Sequence, residues 1–291
     1  MLGRTHALTG WCAGLAVAPL VGLHGLVEAV PFAAITAGYA LLPDLDHPHA
    51  RASRLLGSVT AVLSNGLRAL SAAVYRRTRG PGDSGDSDGE HRHLSHTLAF
   101  AGTVGTGTAV GTQLAGTWGL LVVLAVGTLL AVDSLGDWVG WGLAGTLLLG
   151  VPTAAWGQHG DWGTVLLQGL EGTTAWAGLA VGLGCAVHSL GDACTRSGCP
   201  LLWPAPIRGA RWYRVGLPRA WRFRTGGDME MVVLFPVFVV AGVLLVPGVW
   251  PVATSTVAAM FNSGTDRTSI MTIFSPVSAF DDTDWTITRD S

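Results

Sequence analysis

A chain of 291 residues that is 49% hydrophobic and only 12% charged lies far from an ordinary soluble domain, where about 25% of residues carry charge. Seventeen Arg, no Lys and 19 acidic residues give a net charge of −2, which excludes the basic stripe of a nucleic-acid binder. The mean hydropathy of +0.45 excludes a disordered chain and leaves an all-α, polytopic membrane helical bundle.

Apolar runs near bilayer-spanning length predict seven helices in chain order: Ala7–Leu23, Val27–Leu42, Thr97–Leu114, Gly119–Val132, Trp138–Ala155, Thr174–Ala186 and Met231–Trp250. The break at Asp133–Asp137 separates the fourth from the fifth, and a five-span version keeps the same polar segments. Between the second and third spans lies Pro43–Ser95, with an amphipathic stretch, Arg51–Arg79, that reads as a helix on the membrane surface. The run GPGDSGDSDGE, Gly80–Glu90, follows it as a flexible insert. A second polar segment, Thr195–Gly227, is rich in Arg, Pro and Trp. Residues 1–250 thus form the membrane domain, and 251–291 a polar C-terminal tail.

Arginine placement orients the chain. Fifteen of the 17 Arg fall in the N-terminus and the two polar segments, so the positive-inside rule predicts a multi-pass cell-membrane protein with a cytoplasmic N-terminus. Cys12, Cys185, Cys194 and Cys199 form no CxxC and are expected to be free thiols. The pairs Gly10/Gly14, Gly107/Gly111 and Gly178/Gly182 have the small-xxx-small spacing of closely packed membrane helices.

Three clusters carry chemistry, all at the predicted inner boundary. In Leu41–Pro48, Asp44 and Asp46 sit two apart beside His47, and Pro43 and Pro48 favour an extended backbone from which both carboxylates reach one centre. Carboxylates attract divalent cations, and imidazole adds preference for zinc or another transition metal. In His91–Thr97, Arg92 offers a fork of donors to phosphate or carboxylate, and Ser95 is placed to cap the helix that follows. His188 and Asp192 are i and i+4, on one helix face. Asp133 and Asp137 repeat that spacing without a His partner.

Thr5-His6 with Gly10, LLPDLDHP at 41–48, HRHLSHTL at 91–98, HSLGDACTRSGCPLLWP at 188–204 and TGGDMEM at 225–231 together resemble the YdjM-like family of LexA-regulated, inner-membrane, metal-dependent hydrolases. That family is in turn remotely similar to the phospholipase C/P1 nuclease group of zinc phosphoesterases. The resemblance implicates His6, Asp44, Asp46, His91, His96, His188 and Asp192 as metal ligands. Arg92 and Ser95 become substrate or supporting groups; Glu230 and His47 are weaker candidates of the same kind, and His93 is discounted.

The expected function is metal-dependent hydrolysis of a phosphoester or lipid-linked substrate at the cytoplasmic membrane face, with membrane lipids as partners. Two or more divalent ions, zinc first among them, activate water. Asp46 or Asp192 takes the proton, and Arg92 with the Arg-rich 208–224 segment holds the anion. Two other readings compete: a divalent-cation transporter or channel, which should place its acids near the midplane, and a non-catalytic stress protein whose metal only staples helices.

Overall fold

The structure, a computed structural model, describes residues 1–47, 53, 57–83, 87–136 and 162–249. The chain divides by contacts into Met1–Pro247 and Gly248–Ser291, and every helix below belongs to the first unit. Among the described residues regular structure is helical: α1 (Gly3–Val17), α2 (Leu26–Tyr39), α3 (Ser58–Thr78), α4 (Leu98–Leu135), α5 (Trp162–Ala193) and α6 (Phe235–Leu244). A π-helical turn, Met229–Leu234, leads into α6, and short 3-10 turns occupy Pro43–Asp46 and Leu94–His96. Among the described residues extended pairing is limited to isolated bridges such as Cys199–Val215.

Among the described residues three stretches are long and apolar enough to cross a bilayer, Leu26–Asp46, Leu98–Leu135 and Gln168–Ala193, and Met229–Leu244 is apolar but shorter. This is fewer than the seven expected from the apolar runs. Ala7–Leu23 loses its α-helix at Val17, where a 3-10 turn containing Pro19 ends at Gly22. Thr97–Leu114 and Gly119–Val132 fall within the single element α4. Met231–Trp250 narrows to α6, which stops at Leu244. Trp138–Ala155 lies outside the described residues, as does Asp137.

α4 is broken at Gly116, whose φ of 57° and ψ of −141° suit only glycine. A straight helix of this length would measure about 57 Å. Instead both of its ends lie level with one end of the bundle. A Cβ on Gly3 would stand 2.9 Å from Ser134 Oγ, and one on Gly182 would stand 3.2 Å from the Ala101 carbonyl oxygen. Two spans expected as separate helices are therefore the two limbs of a hairpin. Its first limb starts where Thr97 Oγ1 accepts the Phe100 N–H at 3.0 Å. Ser95, expected as this cap, is engaged elsewhere.

Small residues set how closely the helices approach. A Cβ on Gly14 would come within 2.6 Å of Ala33 Cα, and one on Gly10 within 2.7 Å of the Thr36 carbonyl oxygen, so α1 lies directly on α2. One on Gly178 would meet Gly105 O and Ala109 Cβ at 2.5 Å, which seats α5 on α4. Gly107 and Gly111 have open space around them; the contact expected there is made by Gly105. Phe32, Ile35, Leu120, Ala177, Ala180 and Val181 fill the centre. In lipid this interdigitation, rather than expulsion of water, holds helices together.

The four cysteines are free thiols. Both flanks of the Gly80–Glu90 insert are tied down. The Asp83 carboxylate accepts the N–H groups of Gly80, Arg211 and Trp212, and the Gly89 carbonyl accepts the Ser71 hydroxyl.

Candidate metal centre

Four separated stretches converge at one end of the bundle. α1 brings His6, the Pro43–Asp46 turn brings Asp44 and Asp46, the segment before α4 brings His91, Arg92 and His96, and the last turns of α5 bring His188 and Asp192. His6, Asp46, His96, His188 and Asp192 are all fully buried. Polar groups accumulate here because helix N-termini leave N–H groups, and C-termini carbonyls, without intrahelical partners. One such carbonyl, at Ala40 just past α2, accepts a hydrogen bond from His188 Nδ1 at 2.7 Å. That bond fixes the His188 tautomer and leaves the Nε2 lone pair facing inward.

His188 Nε2 lies 3.1 Å from His96 Nε2, 3.7 Å from Asp44 Oδ1 and 3.9 Å from Asp192 Oδ2. His96 Nε2 is 3.4 Å from Asp192 Oδ2 and 3.9 Å from Asp44 Oδ1. His6 stacks on His188 with ring centroids 3.8 Å apart, and its Nε2 is 3.3 Å from Asp192 Oδ1. Two triads, His6–His188–Asp192 and Asp44–His96–His188, each bring their ligand atoms within 4.8 Å of one another. They share His188, whose Nδ1 is committed to Ala40, so its Nε2 could serve one ion only.

Asp46 stands behind these donors. Its Oδ1 accepts from His91 Nδ1 at 2.6 Å; its Oδ2 accepts the Ser95 hydroxyl at 2.5 Å and the Arg92 N–H at 3.1 Å, and lies 3.4 Å from His96 Nδ1. A carboxylate so placed orients imidazoles rather than binding a cation itself. The expectation that Asp46 is both ligand and proton acceptor therefore meets a carboxylate already occupied by three donors. The 3-10 turn explains the division: it points Asp44 at the other ligands and Asp46 at the loop.

Burial disfavours charge on His96, but Asp46 and Asp192 outweigh it and push the imidazole up to about 10. A cation must displace that proton to bind. The donor set fits a cation on a further ground. His6 Nδ1 is buried without a hydrogen-bond partner, although a buried polar atom ordinarily has one. Positive groups already face the carboxylates: the Met1 amino group lies 2.6 Å from Asp192 Oδ1 and Arg92 Nη2 is 3.2 Å from Oδ2.

Beside the cluster opens a cleft of about 490 Å³ whose lining includes Asp44, His47, His91, Arg92, Ser197 and Arg214. Asp44 belongs to both the cleft and the donor set, so the cleft gives access to the cluster. His91 is one-third exposed, packs edge-on against His47 and belongs to neither triad. Glu230 belongs to neither triad: it accepts the N–H of Leu2 at 2.6 Å and of Gly226 at 2.8 Å, tying the start of α1 to the turn before α6. His93 packs with Tyr75 and Trp212. Asp133 lies near the end of α4 and joins neither triad. Sequence reasoning missed the Ala40 carbonyl, because a backbone acceptor carries no residue-type signal. It saw Arg214 only as one arginine in a basic stretch.

A family model described as YdjM inner membrane protein matches residues 1–251. No curated protein and no solved structure matches the chain.

Proposed function

The chain belongs to the YdjM inner membrane protein family, and from that premise we propose that it is a membrane-bound, metal-dependent hydrolase acting on a phosphoester or lipid-linked substrate at the cytoplasmic face. The observation that carries the reading is a buried set of imidazoles and carboxylates, with an unpartnered nitrogen on His6, that opens on a cleft lined by Arg92 and Arg214. His6, Asp44, His96, His188 and Asp192 would hold one divalent cation, and the mixture of imidazole and carboxylate favours zinc. Such an ion supplies Lewis-acid polarisation of a phosphoryl oxygen and makes water acidic enough to attack near neutral pH.

The chain's own groups do the rest. Arg92 and Arg214 hold the anionic group at the cleft. Asp46, by binding Nδ1 of His91, turns that ring so that Nε2 is the nitrogen left to exchange a proton with substrate or water. Asp192 stays an acceptor for Arg92 and cannot easily also serve as base. The cluster lies at the ends of the spanning stretches Leu26–Asp46 and Gln168–Ala193, not at their middle, which favours an enzyme over a cation path. The adjoining cleft favours it over a closed structural staple.

Elemental analysis of the detergent-purified protein should find about one equivalent of metal, lost in a His96→Ala, Asp192→Ala double variant. Full occupancy in that variant ends the ligand assignment. Hydrolysis of bis(p-nitrophenyl) phosphate and of phospholipid in mixed micelles should stop with chelator and return with zinc; hydrolysis indifferent to chelation rejects the chemistry.

A further inference from the structure

α3 is turned inside out relative to a helix of a soluble domain. Thr60, Ser64 and Ser71 are buried, whereas Val59 is 58%, Val62 69%, Leu63 58% and Leu70 53% exposed. Those four aliphatic residues recur at i, i+3, i+4 and i+11, so they form one stripe. A helix whose surroundings are water on one side and protein on the other carries the opposite pattern, with aliphatics inward and hydroxyls outward.

Position identifies what the stripe meets. Ser71 Oγ accepts the Leu94 N–H at 3.1 Å, and Tyr75 packs against His93 and Trp212. α3 also touches the Pro43–Asp46 turn and the Leu94–His96 turn. These turns close the spanning stretch Leu26–Asp46 and precede the one that starts at Leu98, so α3 lies level with the edge of the apolar slab. Its C-terminal end adds Arg76, Arg77 and, one residue on, Arg79, all exposed. Aliphatic residues along one stripe with arginines at its end fit an anionic phospholipid surface.

We infer that α3 is an interfacial helix. Val59, Val62, Leu63 and Leu70 lie among the upper acyl chains, and Arg76, Arg77 and Arg79 engage anionic headgroups. Since Ser71 and Tyr75 hold the segment that carries Arg92 and His96, the same seating fixes the cleft at headgroup depth. This inference stands whether or not the protein is a hydrolase.

Nitroxide labels at V62C, L70C and, as reference, N65C test it in the full chain with its native cysteines replaced, reconstituted in mixed phosphatidylcholine–phosphatidylglycerol vesicles. Labels at 62 and 70 are expected to be more accessible to oxygen than to a water-soluble nickel chelate, and more so than the label at 65. Nickel-dominated accessibility at 62 and 70 overturns the inference, as does dipolar broadening there that reports a second copy of the chain covering the stripe. In a R76Q/R77Q/R79Q background the labels should sit shallower, and depth unchanged by those substitutions removes the role given to anionic lipid. Photolabelling of the unmodified chain with an acyl-chain diazirine lipid is independent of any substitution: adducts within residues 59–70 support the seating. Adducts on Leu98–Leu135 with none on 59–70 refute it.

Discussion

Asp46 and Asp44 are two residues apart and of one chemical type, yet the structure gives them different work. Asp44 faces His96 and His188, while Asp46 accepts from His91, Arg92 and Ser95. Asp46→Asn should therefore weaken metal binding without abolishing it, by about 10–100-fold, as loss of an orienting carboxylate does elsewhere. Asp192→Ala should abolish binding; competition titration with a chromophoric chelator distinguishes the two. His93 offers a pH test. Burial, aided by Arg214, lowers its pKa from the usual 6.5, against the opposing pull of the His91 carbonyl, Asp88 and Asp46. Its neutral ring donates from Nδ1 to His91 O at 2.8 Å and accepts the Ser87 hydroxyl at Nε2. With the folded pKa depressed, the stability this ring contributes is present above about pH 6.5 and lost as pH falls through the folded value. Thermal unfolding followed by tryptophan fluorescence should show the melting temperature falling from pH 7.5 toward 5, with a smaller slope in His93→Asn. An equal slope in the variant would assign the acid sensitivity to other groups. At this scale much was legible: the i, i+4 pair His188 and Asp192 and the imidazoles at 91 and 96 stand in recognisable clusters. The division of labour between Asp44 and Asp46 was not, because it depends on how a 3-10 turn aims side chains, and residue type does not encode that aim.

Helix contacts were readable in part for a related reason. Spacing alone singled out Gly10/Gly14 and Gly178/Gly182, and both pairs lie where backbones meet. The same spacing singled out Gly107/Gly111, which face open space while Gly105 makes the contact. A small-xxx-small pair marks a possible face, and only the partner helix decides which face is used. Gly178→Leu should force α4 and α5 apart at a cost of about 1–3 kcal/mol, the usual scale of overpacking. Gly107→Leu and Gly111→Leu should be close to neutral. Thermal inactivation in detergent ranks the three, and equal losses would place the α4–α5 contact elsewhere. Span length misled where a turn interrupts an apolar run. Hydropathy registers neither the 3-10 turn after Val17 nor which of α4's many glycines is the one, Gly116, that reverses the chain.

Viewed whole, the described part of the molecule is strongly polarised. The basic residues, the convergent histidines and the interfacial helix gather at one end, and the tip of the α4 hairpin exposes Leu114 and Trp118 beside Gly116. Composition and hydropathy were enough to read a helical membrane protein, and the motif blocks were enough to read its family. Convergence of four distant stretches came only from the packing that carries them. The arginine distribution predicts that the polarised end faces the cytoplasm. Reporter fusions after residue 83, within the insert, should behave as cytoplasmic, active as a fluorescent protein and inactive as a periplasmic phosphatase. The reverse pattern would invert the assignment.

His188 rests on a carbonyl that belongs to another helix, and Gly184, one turn earlier, presses on the backbone of Thr36 and Ala40. The position of the imidazole would thereby follow any slip of α5 along α2. A membrane of mismatched thickness tilts its helices at modest cost, and a tilt that slips this pair by even a fraction of a turn would swing the nitrogen off target. Grip on the cation would then rise and fall with the thickness of the surrounding lipid, with no effector molecule involved.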